Sequence, residues 1–233
     1  MGETDRFCLL LTEHHGRVAA RANGVRRLLS RRGSGLLPLH HISIVCDLHS
    51  FGLSIVSSAS LHSHAQSWQD PHAFSCAQQG IELLLKLTEE SSPMPQVYFL
   101  TCDFIDACAL QNPARFPPLF TLKLLSMLGV SPSLTHSSID HRPLPTEGTI
   151  VFSHRLGGLV DRRDDPAGVR LSPDLLHLFH TLEKCSLPAI PDLSRSLLAE
   201  LTMFVHCLTG SQLGLSLRAP DVSLAMSSGV TPT

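Results

Sequence analysis

The chain has 233 residues, of which 43% are hydrophobic and only 16% charged, with a formal net charge of −2. That is enough length and apolar content for one large or two small domains with a true core, and it excludes a disordered polyelectrolyte. No apolar run reaches the roughly 18 residues that span a bilayer, and the polar opening 1–6 is not that of a signal peptide.

The first third reads as β. Residues 7–12 are a compact apolar run, 13–16 a turn in which Gly16 takes positive φ, and 18–22 a second run, together predicting a hairpin. Residues 39–46 and 52–59 predict another hairpin around 47–51, with β-branched centres at Ile42, Ile44, Val45, Ile55 and Val56. Across the first hairpin and the loop after it stand six arginines, Arg17, Arg21, Arg26, Arg27, Arg31 and Arg32. No acidic residue occurs between Glu13 and Asp47. On a near-neutral chain this is a local basic block, and its natural ligand is a polyanion. The block uses no Lys, and guanidinium grips phosphate bidentately and stacks on bases better than ammonium does.

A charge run is commonly just a solvated surface. Here the run sits between short strands of barrel type, which favours nucleic acid. Aromatic residues for base stacking are scarce: Phe7, Phe51 and Trp68 precede Phe74. Phe51, in the second hairpin turn, is the expected stacking candidate, although loop packing is the commoner use of such a residue. The composition predicts backbone-driven, sequence-tolerant binding.

From Asp70 the apolar period becomes helical. Asp70 and Pro71 read as N-cap and first helical residue, with Phe74, Ala77, Ile81, Leu84 and Leu85 on one face. Val97, Leu100, Phe104 and Cys108 predict a second helix. Phe116, Leu119, Phe120, Leu124 and Met127 predict a third, stopped by Gly129. Residues 131–166 read as irregular. Ser172 and Pro173 open a fourth helix through Leu175, Leu176, Phe179 and Leu182. Leu193, Leu197, Leu201, Phe204, Val205 and Leu208 define a fifth, expected to end at Gly210, and residues 220–233 read as a loose tail.

Seven cysteines, an odd number with no CxxC pair, read as reduced and mostly buried thiols of a cytoplasmic protein. Cys102 and Cys108, on a predicted helix, are core rather than nucleophiles. His62 with His64, and His177 with His180, have pair spacing for a metal, but no thiol or carboxylate completes either set. There is no GxxxxGK[ST] loop, and Ser34 is not in a GxSxG elbow.

The residues Gly2-Glu3-Thr4-Asp5-Arg6, Leu9 to Val18, Gly24-Val25-Arg26-Arg27 and Leu36-Leu37-Pro38-Leu39 resemble successive blocks of the bacterial recombination mediator family RecO. So do Leu128 to Leu134, Phe152 to Val160, Leu193 to Leu198 and Leu213 to Arg218, in the same order. The resemblance implies an α+β protein: an N-terminal OB-fold β-barrel over residues 1–68, then a helical domain over 69–219 with an insert at 131–170, and the tail 220–233. It implies a protein that is not an enzyme and needs no cofactor. Such a protein binds single- and double-stranded DNA, anneals complementary strands, and works with RecR and single-stranded DNA-binding protein to load the RecA recombinase. It would be cytoplasmic, associated with the nucleoid and not with a membrane. Arg17, Arg21, Arg26, Arg27, Arg31 and Arg32 are the expected DNA contacts.

The chain departs from that family pattern in two places. Many relatives carry a four-cysteine zinc knuckle in the insert. The corresponding residues here are Ser137, Asp140, Asp161 and Asp164, a degenerate set, so no metal is expected. Relatives also place an apolar strand ahead of the block at which this chain opens. The barrel is therefore expected to lack its first strand segment, with that strand encoded upstream. Two rival readings remain from the residues themselves: a metal-assisted hydrolase using the His- and Asp-rich segments, and a structural adaptor that no longer binds DNA.

Overall fold

The computed structural model describes residues 5–22, 36–49, 52–61, 68, 70–109, 112–144 and 149–213. Within them a β-rich N-terminal part is followed by a helical body, an α+β arrangement. The first hairpin is β1 (Arg6–Thr12) and β2 (Gly16–Ala22), antiparallel, with Thr12 opposite Gly16 and Arg6 opposite Ala22. Gly16 closes the turn at φ +65°, a conformation that costs an L side chain. The second hairpin is β3 (Ile42–His49) and β4 (Gly52–Leu61), with register shifts at Ile42/Ser43 and Val45/Cys46.

The two hairpins join through a short parallel pairing of β2 with β4, at Ala20–Leu53 and Arg21–Ser54. The strand order is β1-β2-β4-β3. This corrects the expectation of a closed barrel. Among the described residues the four strands form an open sheet, and β1 and β3 lie at opposite edges instead of pairing. Alternation still gives the sheet an inner face. Ala20, Ala22, Leu36 and Ile55 are buried there, with Cys8, Leu10, Ile42, Ile44 and Cys46 packed on them. Only four residues of this cluster are fully buried, two of them alanines, so this core is thin.

The helical body consists of α1 (Pro71–Leu87), α2 (Pro95–Cys108), α3 (Phe116–Met127), α4 (Pro173–Lys184) and α5 (Arg195–Leu213). Asp70 caps α1 by accepting from the His72 amide at 2.9 Å, and Ser172 caps α4 by accepting from the Leu175 amide at 3.2 Å. The middle of the body is α3. Its buried residues run from Phe116 through Leu122 and then include Leu124 and Leu125, so it is covered on nearly every side. Phe104 of α2 stacks on Phe120 of α3 at 4.2 Å between centroids. Gly80 of α1 makes this approach possible: a Cβ there would sit 2.4 Å from the Phe104 ring.

Three expectations need correction. The buried face of α1 is Ala73, Cys76, Ala77, Gly80, Leu83 and Leu84, whereas Leu85 is exposed. At Gly80 the absence of a side chain admits Phe104 of α2 and Phe120 of α3 closely, and size decided the face where hydrophobicity alone did not. Helix α5 continues through Gly210 to Leu213. Residues 131–166 are not irregular throughout. They contribute β5 (Ile150–Ser153) and β6 (Gly158–Asp161), which join β7 (Val169–Arg170) in a sheet of order β6-β5-β7. Ile150, Val151, Phe152, Leu159 and Val160 of this sheet are fully buried, and Phe152 meets Phe204 of α5 edge-on at 5.4 Å. The strands are four residues or shorter and carry too little alternation to be legible. Among the described residues no helix is long and apolar enough to cross a membrane.

Candidate nucleic-acid interface

Because β1 buries Cys8 and Leu10, alternation turns Phe7, Leu9 and Leu11 to the opposite face. Register places Arg21, Ala19 and Arg17 of β2 directly opposite those three. The outer face of the hairpin is thus two parallel rows, one apolar and one carrying two arginines. Phe7 is 63% exposed and Leu9 44%. Leu11 packs on the helical core, so the inner end of the face meets the body.

The two described arginines behave differently. Arg17 is tied to the helices: its Nη1 donates to the Leu85 carbonyl at 2.6 Å, and its own carbonyl accepts from the Ser91 amide at 2.9 Å. Its Nε is buried and has no hydrogen-bond partner among the described residues. Gly16 next to it lies so close to Ser92 that a Cβ would stand 2.2 Å from the Ser92 carbonyl oxygen. Arg21, by contrast, points outward with a side chain 48% exposed. Its Nη2 and Nε both donate to one carboxylate oxygen of Asp5. Arg26, Arg27, Arg31 and Arg32 lie outside the described residues, as does Phe51.

Beside this hairpin a cavity of about 630 Å³ separates the sheet from the body. Its sheet side includes Phe7, Leu9 and Leu37, and its helical side Leu84, Tyr98 and Cys102. Tyr98 Oη and His41 Nε2 share a hydrogen bond of 2.9 Å across the boundary. Burial pushes the Tyr98 hydroxyl up to about 12, so it stays protonated at neutral pH. Arg6 Nη1 donates to the Leu36 carbonyl and fixes the point where the chain returns after the arginine block.

The other candidate residues are accounted for individually. Cys102 and Cys108 are on α2. Burial raises both thiols, which makes them poor nucleophiles. His177 is exposed and His180 half-buried on α4, whereas His62 and His64 lie outside the described residues. In the insert, the four degenerate positions do not fit zinc. Ser137 Oγ accepts from the Ile139 amide at 3.2 Å, Asp140 from Arg142 at 3.3 Å and Asp161 from Arg163 at 2.9 Å. Asp164 closes its turn through its own amide, which donates to the Asp161 carbonyl at 2.9 Å. The oxygens of Ser137, Asp140 and Asp161 are thus used to hold the turns. The Arg142 amide, followed by the Ser137 hydroxyl, holds the Asp140 carboxyl below its usual range. Among the described residues no three His, Cys, Asp or Glu side chains converge to hold a metal ion.

The sequence reading did not single out Phe7. The signal was available: once residues 13–15 form the turn, pairing Thr12 with Gly16 sets Phe7 across from Arg21.

Comparison with known proteins agrees with the order of these parts. The family description "Recombination protein O N terminal" matches residues 1–64, and "Recombination protein O C terminal" matches residues 68–220. A "DNA repair protein RecO" of Bifidobacterium adolescentis is 31% identical over 169 residues, covering 70% of this chain and 68% of the relative. With both halves of the family matched in sequence order across nearly its whole length, the chain belongs to the RecO family of DNA repair proteins.

Proposed function

We propose that this chain is a non-enzymatic recombination accessory protein that binds single- and double-stranded DNA and anneals complementary strands. In this reading it acts with RecR and single-stranded DNA-binding protein to load RecA at gaps, in the cytoplasm and on the nucleoid. Residues 1–68 form the nucleic-acid-binding unit, residues 69–219 support it and dock partners, and 220–233 is an accessory tail. Membership of the RecO family supports the role in repair.

The observation that carries the DNA reading is strand β2. It presents Arg21 on an exposed face and leads directly into the sequence that holds Arg26, Arg27, Arg31 and Arg32. With no acid between Glu13 and Asp47, this is the most cationic stretch of the chain. Arg21, Arg26, Arg27, Arg31 and Arg32 are assigned to phosphates. Arg17 adds its charge at the base of the site and braces it through Leu85. Phosphate contacts of this kind position the protein without reading sequence. A metal-assisted hydrolase gains nothing from the geometry, because the His and Asp residues described do not converge.

The test is a fluorescence anisotropy titration with labelled single-stranded DNA at several salt concentrations. Each phosphate neutralised on a single strand contributes about −0.7 to the log–log salt slope, so five arginines predict a slope of about −3 to −4. Binding that is absent, or insensitive to salt, would contradict the reading and leave the adaptor.

A further inference from the structure

We propose that Phe7 and Arg21 form a stacking platform for an unpaired base, so that this hairpin face distinguishes single-stranded from double-stranded nucleic acid. The inference rests on the DNA-binding reading above and adds to it the residue that meets a base.

Four observations support it. First, Phe7 is the most exposed large apolar side chain among the described residues, at 63%. Phe7 is the second residue of the edge strand β1, at the rim of the cavity between sheet and body, and an aromatic ring left this exposed is costly unless something covers it. Second, Phe7 stands directly opposite Arg21 in the antiparallel register, and opposite residues in such a pair hold their Cβ atoms about 5 Å apart. A planar ring and a planar guanidinium side by side offer two π faces at one level, suited to a flat base with its phosphate. Third, the next pair inward is Leu9 and Ala19. Ala19 is short, so β2 leaves the floor beside Leu9 open, and Leu9 extends the apolar surface inward from the ring. Fourth, Leu11 and Arg17 close the inner end against the helices, while the outer end of β2 leads into the arginine block.

A base paired in a duplex keeps both faces stacked on its neighbours and cannot use this ring. A free base can, which is the physical origin of the discrimination. The carboxylate of Asp5 accepts from Arg21 Nε and Nη2 and so restrains the guanidinium on this face.

The experiment compares the full chain with Phe7→Ala, Phe7→Tyr and Arg21→Ala in anisotropy titrations. The probes are labelled oligothymidylate, the same oligomer with abasic sites, and a duplex of equal length. Phe7→Ala is expected to weaken binding to oligothymidylate at least about five-fold, the low end of what losing one stacked base produces. Its salt slope should match the wild type, its duplex binding should be unchanged, and Phe7→Tyr should restore affinity. Abasic sites should bring the wild type down to the level of Phe7→Ala. Arg21→Ala should lower the salt slope on both single strand and duplex. If Phe7→Ala binds oligothymidylate as the wild type does, while the wild type still shows an arginine-dependent salt slope, the platform is overturned and the DNA reading stands. Equal loss on single strand and duplex would reduce Phe7 to a structural role and also overturn it. A wild type that binds none of the probes removes both the platform and the DNA reading.

Discussion

The N-terminal sheet and the helical body are built on different principles. The body concentrates its large side chains inside: Phe104, Phe116, Phe120, Phe152 and Phe179 are all fully buried. The sheet has the reverse arrangement. Its inner core is formed by Ala20, Ala22, Leu36 and Ile55, while Phe7, Leu9, Leu37 and Val45 are exposed. Most of the buried core therefore lies in the body, and the exposed arginine-bearing face lies in the sheet. The two meet at a narrow joint of Gly16, Arg17, His41 and Tyr98.

The largest expected effect separates the two regions most sharply. Phe104→Ala removes a ring stacked on Phe120 and leaves a cavity in the body, and chemical denaturation should show a loss of about 3–5 kcal/mol. Phe7→Ala should cost less than about 1 kcal/mol, because an exposed ring has few contacts to lose. Comparable losses in the two variants would mean that Phe7 is packed against the molecule and is not an exposed residue of the sheet.

The joint comes next. In Gly16→Ala the new Cβ meets the Ser92 backbone at a positive φ, and the expected cost is about 2–3 kcal/mol by thermal unfolding. Arg17→Met keeps the aliphatic stem but loses the bond to the Leu85 carbonyl, for about 1–2 kcal/mol. A neutral result at both positions would show that the sheet and body are independent units.

The smallest effect concerns acid. The Asp165 carboxyl accepts from the Ser153 hydroxyl, which chiefly holds it below the ordinary value of 3.8. The ionised form is thus the stabilised one. Its contribution is complete above the unfolded value and is lost as pH falls through the lower folded value. Asp165→Asn should therefore flatten the stability profile below about pH 4 in acid-unfolding curves. An unchanged profile would remove Asp165 from the account of the insert.

Much of this was legible in the chain. Asp70–Pro71 and Ser172–Pro173 announce helix starts because capping chemistry is local. The hairpin of β1 and β2 follows from two apolar runs and Gly16. What could not be read was set by tertiary contact. The α1 face depends on how close α2 and α3 can approach Gly80, and the short strands β5 and β6 are held by burial against α5. The barrel expectation failed at β1 and β3, since closure is a matter of pairing between distant strands that local alternation does not encode. Of the site, Arg17 and Arg21 were visible as charge. Their division into brace and exposed contact depends on Leu85 and Asp5, 68 and 16 residues away in sequence.

The central claim is that the arginine-bearing face of β2, with the arginine block that follows it in sequence, binds the DNA backbone. The most direct measurement is the salt dependence of single-stranded DNA affinity for the wild type and for Arg26→Ala/Arg27→Ala. The account predicts weaker binding to every sequence alike, a slope flatter by about one unit or more, and an unchanged unfolding midpoint. Wild-type affinity and slope in the double variant would contradict it and move the DNA site elsewhere on the molecule.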